Sequence, residues 1–188
     1  KGEKNIEFLN DLLQKMRPSD LLWTGQVYDK LAAQEHQGGD KDKALEYIDK
    51  AIELFKAIDD KNKLGNALNT KGSILRRKGD KEGSLLLFRQ IEKLAKDIQN
   101  EELLAKSYSG IGWIYRQNSV YDTARIYYKR ALAINKKIGN KKGIARSYNN
   151  VGNTFHIKGE YESALEYYVK SLKIKEEIGD KSSISNAL

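Results

Sequence analysis

The same residue pattern returns every forty positions along this chain. Residues 141–180 align without a gap on residues 101–140. Ser147 falls on Ser107, Tyr148 on Tyr108, Gly152 on Gly112, Tyr161 on Tyr121, Ala164 on Ala124, Tyr168 on Tyr128, Leu172 on Leu132 and Gly179 on Gly139. A fixed period in this range is the signature of a repeat array, in which each repeat buries its apolar face against its neighbours. The period separates residues that packing demands from residues that it does not. The second group is the natural place for function.

Each repeat reads as two helices, a helix A over about 141–157 and a helix B over about 161–178. Ile144, Tyr148, Val151 and Phe155 are spaced four, three and four, which places them on one helix face. Ala164, Leu165, Tyr168, Leu172 and Ile174 do the same for helix B. Gly159 is expected to end helix A in a left-handed conformation, with Gly39 and Gly79 in the same place. The third repeat has Asn118-Ser119 there, and Asn118 is the residue expected to turn left-handed. Asp60, Asn100, Asn140 and Asp180 follow helix B and are expected to cap the next helix A. Gly72, Gly112 and Gly152, with Ala32 in the first repeat, lie in mid-helix, where glycine costs about 1 kcal/mol relative to alanine. Close approach of helix B at Ala44, Ser84, Ala124 and Ala164 explains them.

This combination resembles the tetratricopeptide repeat family. The match is carried by Tyr148, Val151, Gly152, Phe155, Gly159, Tyr161, Ala164, Tyr168, Ser171 and Leu172. It recurs at Tyr108, Ile111, Gly112, Tyr115, Tyr121, Ala124, Tyr128, Ala131 and Leu132, and more loosely in residues 21–60 and 61–100. The usual family period is 34 residues. The longer period looks like that of arrays in animal polarity scaffolds and bacterial signalling proteins. The resemblance implies an all-α, TPR-type α-solenoid of antiparallel helix pairs in a right-handed superhelix.

The repeats fall at 21–60, 61–100, 101–140 and 141–180 in one continuous array. Residues 1–20 align with the helix B half of a repeat, Phe8 on Tyr168 and Leu12 on Leu172, although Lys4 falls where Ala164 belongs. They read as a degenerate half-repeat or a capping helix. Residues 181–188 open a fifth helix A, with Ile184 and Leu188 in the places of Ile144 and Tyr148. Half-repeats at both ends lead to the expectation that the chain is a piece of a longer protein.

In the family, helix A residues pointing away from helix B line a concave groove. By matching positions, four columns face it here. They are Gln26, Asn66, Lys106, Arg146 and Asn186; Asp29, Asn69, Ser109 and Asn149; Ala33, Ser73, Trp113 and Asn153; and His36, Arg76, Arg116 and His156, with Arg77 adjacent. Asparagine can both donate to and accept from an extended peptide backbone, and arginine pairs with carboxylates in a bidentate fork. The candidate partner-binding residues are Asn66, Asn69, Arg76, Arg77, Lys106, Trp113, Arg116, Arg146, Asn149 and Asn153. The expected partner is a peptide or protein segment carrying Asp or Glu. Trp113 is the sharpest single candidate, because Ala33, Ser73 and Asn153 show that the repeat does not require an indole, and tryptophan is enriched at binding hot spots. Trp23 precedes its helix A and is expected to cover the N-terminal helix.

The remaining features point away from chemistry. His36 and His156 are three repeats apart, too far for a shared metal. The pairs Tyr127-Tyr128 and Tyr167-Tyr168 have the helix B spacing of core and inter-repeat packing rather than of stacking platforms for single strands. Lys170, Lys173, Lys175, Glu176 and Glu177 read as a solvated outer face. No phosphate loop, nucleophile elbow or metal-ligand cluster is present, so neither enzyme activity nor a cofactor is expected. The chain has no cysteine and a net charge of +8. That charge keeps nucleic-acid binding as an alternative to the peptide reading, with self-association as another. No apolar run approaches the roughly 20 residues of a membrane span.

Overall fold

The computed structural model describes residues 2–17 and 19–179. Among these residues there are nine α-helices and no strand. The chain divides into two compact units, Lys1–Gln99 and Asn100–Leu188. The first unit holds α1 (Gly2–Lys15), α2 (Leu21–Gly38), α3 (Lys41–Ala57), α4 (Lys61–Lys78) and α5 (Lys81–Asp97). The second holds α6 (Glu101–Gln117), α7 (Tyr121–Lys137), α8 (Lys141–Ile157) and α9 (Tyr161–Glu177). Within each unit every helix packs on the next, and in the first unit α2 also meets α4.

Side chains fix the helix starts. The carboxylate or amide of Asp60, Asn100 and Asn140 accepts a hydrogen bond from the backbone N–H three residues on, at 2.9 Å in each case. Asp180 lies outside the described residues. Asp40 and Asp80 cap the starts of α3 and α5 in the same way, at 3.0 and 2.8 Å. The left-handed residue after α6 is Ser119, at φ 62°, and not Asn118, at φ −91°. The Asn118 N–H still bonds the Ile114 carbonyl at 3.0 Å, so the last turn of α6 holds it in a right-handed conformation.

Close approach at the mid-helix glycines involves rings more than small side chains. A Cβ on Gly152 would lie 2.8 Å from Cε1 of Tyr168 and 3.3 Å from the Ala164 carbonyl oxygen. At Gly112 the corresponding contacts are Tyr128 at 2.9 Å and the Ala124 oxygen at 3.2 Å. Ser84 is buried and donates its hydroxyl to the Gly72 carbonyl at 2.8 Å, so a polar residue satisfies the close approach in α4 and α5. Tyr127 and Tyr128 are buried, which makes them core residues. Tyr127 stacks on Tyr115 with centroids 5.6 Å apart.

Four apolar expectations are corrected. Phe8 is 62% exposed and Leu12 is exposed, whereas Leu9 is buried with Ile6, Leu13 and Met16 against Val27 and Leu31. The buried face of α1 is thus rotated by one residue from the repeat register. Trp23 sits in the first turn of α2 at 62% exposure and does not bury itself against α1. Leu165 is 63% exposed on α9, although its spacing placed it with the core. Residues 181–188, expected to begin a fifth helix A, lie outside the described residues.

Candidate functional site

In the first unit the candidate residues Asn66, Asn69, Arg76 and Arg77 all come from α4, which packs on α2. Arg77 does not project freely. Its Nη1 donates to the His36 backbone oxygen at 3.0 Å, satisfying a carbonyl in the last turn of α2. Asn66 is exposed and donates its amide to the Asn62 carbonyl at 3.1 Å. Asn69 and Arg76 are half-buried. Asp29 and His36 face the same region. Burial pushes the Asp29 carboxyl above its ordinary range, against the opposing effects of the Thr70 side chain and of Lys63. Burial, then the Arg77, Arg76 and Lys41 cations, hold His36 below the usual imidazole value. One carboxylate oxygen of Asp29 and Nδ1 of His36 are buried without a hydrogen-bond partner.

In the second unit α6 contributes Lys106, Trp113 and Arg116, and α8 contributes Arg146, Asn149 and Asn153. Lys106 pairs with Glu102 one turn earlier, at 2.8 Å. Exposed pairs of this kind contribute well under about 1 kcal/mol. Trp113 is half-buried, so its indole is partly committed to its surroundings. Arg116 is half-buried, and its Nε is buried with no partner. Its positive charge acts on Tyr168, whose phenol is raised by burial and lowered by Arg116. Tyr168 in turn donates its hydroxyl to Oδ1 of Asn153 at 2.8 Å. Three helices, α6, α8 and α9, thus bring Arg116, Asn153 and Tyr168 into one polar cluster. Tyr168 matches a packing position of the repeat, and its ring does cover Gly152. Only the position of its hydroxyl adds it to the site.

Arg146 and Asn149 stand apart from that cluster in a second feature. With Lys142, Ala145, Lys175, Ile178 and Gly179 they line a cavity of about 450 Å³. Lys175 is half-buried there, not part of a uniformly solvated face. His156 is exposed, edge-on to Tyr161 with centroids 5.5 Å apart. Among the described residues no group of three or more His, Asp or Glu side chains is placed to hold a metal ion. No described helix is long and apolar enough to cross a membrane. The arrangement offers hydrogen-bond donors and fixed positive charge to an acceptor-rich ligand.

Helix pairs stacked at this period define an all-α helical-repeat protein. Residues 103–177, within the second unit, match the family model for the tetratricopeptide repeat. No curated protein matches its sequence. Among solved structures it is similar to a Rap protein complexed with competence and sporulation factor. That match has 16% identity and a TM-score of 0.86, over 99% of this chain and 53% of that one. It is also similar to the Rap conjugation gene regulator of plasmid pLS20 in complex with the Phr* peptide. There the identity is 16% and the TM-score 0.82, over 93% of this chain and 49% of that one. A third is a signal transduction ATPase with numerous domains and a tetratricopeptide repeat sensor, from Pyrococcus horikoshii. It has 22% identity and a TM-score of 0.79, over 99% of this chain and 28% of that one. The chain spans about half the length of the two Rap proteins. At these identities the likeness shows the fold.

Proposed function

We propose that this chain is a protein-interaction module whose second unit binds an extended segment bearing Asp or Glu along α6 and α8. The observation that carries this reading is Arg116. A half-buried guanidinium with an unpartnered Nε, beside the Tyr168–Asn153 hydrogen bond, is an incomplete polar cluster. A partner carboxylate would complete it through the paired N–H geometry that guanidinium offers. Trp113, one turn before Arg116, supplies an aromatic wall, and the Asn149 amide can meet a peptide backbone. Two similar structures carry peptides or signalling factors in their complexes, which supports a peptide as the ligand class.

The test is fluorescence anisotropy with labelled extended peptides carrying Asp or Glu, beside counterparts carrying Asn or Gln. Acidic peptides should bind more tightly, and Arg116→Gln should weaken them roughly ten- to hundredfold, the range for a hydrogen bond to a charged group. Binding that ignores both the carboxylates and Arg116 would refute the assignment.

A further inference from the structure

The cavity of the second unit has a one-sided charge. Lys142, Arg146 and Asn149 stand on one face of α8, spaced four and three residues apart. Lys175 and Ile178 close it from the end of α9, with Ala145 between, around about 450 Å³. Among the described residues the wall holds three cations and no carboxylate.

Several other lysines of this unit are compensated. Lys106 pairs with Glu102, Lys158 with Asp122, and Lys141 with Glu177 at 3.3 Å. That last pair turns the Glu177 carboxylate at the end of α9 toward Lys141. Lys142, Arg146 and Lys175 enter no ion pair among the described residues. The α9 C-terminus brings roughly half a unit of negative charge, which the three cations outweigh.

We propose that this cavity binds a phosphate monoester carried on a serine or threonine side chain of a partner segment. A carboxylate brings one charge and two oxygens, fewer than three cations and the Asn149 amide can serve. A phosphate monoester brings about −1.5 to −2 charges and three acceptor oxygens at neutral pH. The volume exceeds what a bare anion fills, and Ala145 and Ile178 give apolar contact to the carbon atoms that carry the phosphate. A nucleic-acid strand spreads single charges along its length and is met by grooves that track the backbone. Here the charge converges on one concavity. The proposal rests on the second unit being a peptide-binding face, but not on Arg116.

The experiment is titration of the 188-residue chain with three peptides of one sequence, bearing phosphoserine, Glu or Ser at a single position. The phosphoserine peptide should bind at least about tenfold more tightly than the Glu peptide, one extra charged hydrogen bond's worth. The Lys142→Gln/Lys175→Gln double variant should abolish that preference while its circular dichroism and melting stay those of the parent. Equal binding of the phosphoserine and Glu peptides overturns the proposal. So does a preference that survives the double substitution, or equal displacement by an arbitrary oligonucleotide at matched phosphate concentration. Acidic peptides that respond to Arg116→Gln but show no phosphate preference leave the groove standing and remove the cavity. A preference that tracks Lys142 and Lys175 while unphosphorylated acidic peptides fail to bind keeps the cavity and removes the groove.

Discussion

Replacing Gly152 by alanine sets two effects of opposite sign against each other. Alanine is favoured over glycine in mid-helix by about 1 kcal/mol. The added methyl, however, would sit 2.8 and 2.9 Å from Cε1 and Cδ1 of Tyr168. Contacts that short force the ring to move, and overpacking of this kind costs about 1–3 kcal/mol. Ring movement also strains the 2.8 Å bond from the Tyr168 hydroxyl to Asn153, whose loss costs a further ~0.5–1.5 kcal/mol. Gly152→Ala is therefore expected to destabilise the second unit by about 1–2 kcal/mol, despite its better helix propensity. Removing the ring should reverse the sign. In a Tyr168→Ala background the nearest remaining contact is the Ala164 oxygen at 3.3 Å, which a small helix shift relieves. There the substitution should be neutral or stabilising by up to about 1 kcal/mol. The coupling between the two sites is then about 1–3 kcal/mol. Urea unfolding followed by Trp113 fluorescence in a Trp23→Phe background reads the second unit alone. Gly112→Ala should cost more than Gly152→Ala, because Tyr128 is 1% exposed and has less room to yield than the half-buried Tyr168. A Gly152→Ala chain that gains stability with Tyr168 present, or responds equally in both backgrounds, would show that the ring does not set the requirement for glycine.

Two further outcomes follow from the first unit. Arg77→Ala should lower its stability by about 0.5–1.5 kcal/mol, through loss of the bond to the His36 carbonyl. It should leave acidic-peptide binding unchanged; an equally stable variant that binds less would return Arg77 to the ligand set. His36 has its folded pKa depressed, by burial first and then by Arg77, Arg76 and Lys41. The unfolded chain therefore takes up the proton at higher pH than the folded one. Stability from this group is fully present above the unfolded value of about 6.5 and declines as pH falls below it. Melting followed by circular dichroism between pH 8 and 5.5 should show a steeper acid loss in the parent than in His36→Gln; parallel profiles would contradict the burial argument.

Features fixed within a few residues are legible in the sequence. Asp60, Asn100 and Asn140 cap because an Asx side chain three residues before an amide can reach it whatever else the chain does. Gly39, Gly79 and Gly159 turn left-handed because they lack a Cβ that would clash there. The forty-residue period and its helical spacing carried the fold class and the burial of Tyr128 and Val151. Asn118 shows the limit of residue preference: the repeat register assigns the left-handed position to Ser119, the place of Gly159, and register prevails over asparagine's tolerance.

The candidate site was legible only as a list of residues the repeat does not demand. The sequence alone determined that Arg77, Arg116 and Arg146 lie on helix A surfaces, since period and pitch set which way a residue faces. It could not determine what each one meets, because that depends on residues distant along the chain. Arg77 ends on the carbonyl of His36, Arg116 lies beside Tyr168, and Arg146 lines a cavity with Lys175. Helix periodicity is a local property of the backbone and can be read along the chain. Charge compensation is a property of three-dimensional neighbours, so only the tertiary structure decided which cations were already satisfied and which had no ion pair among the described residues.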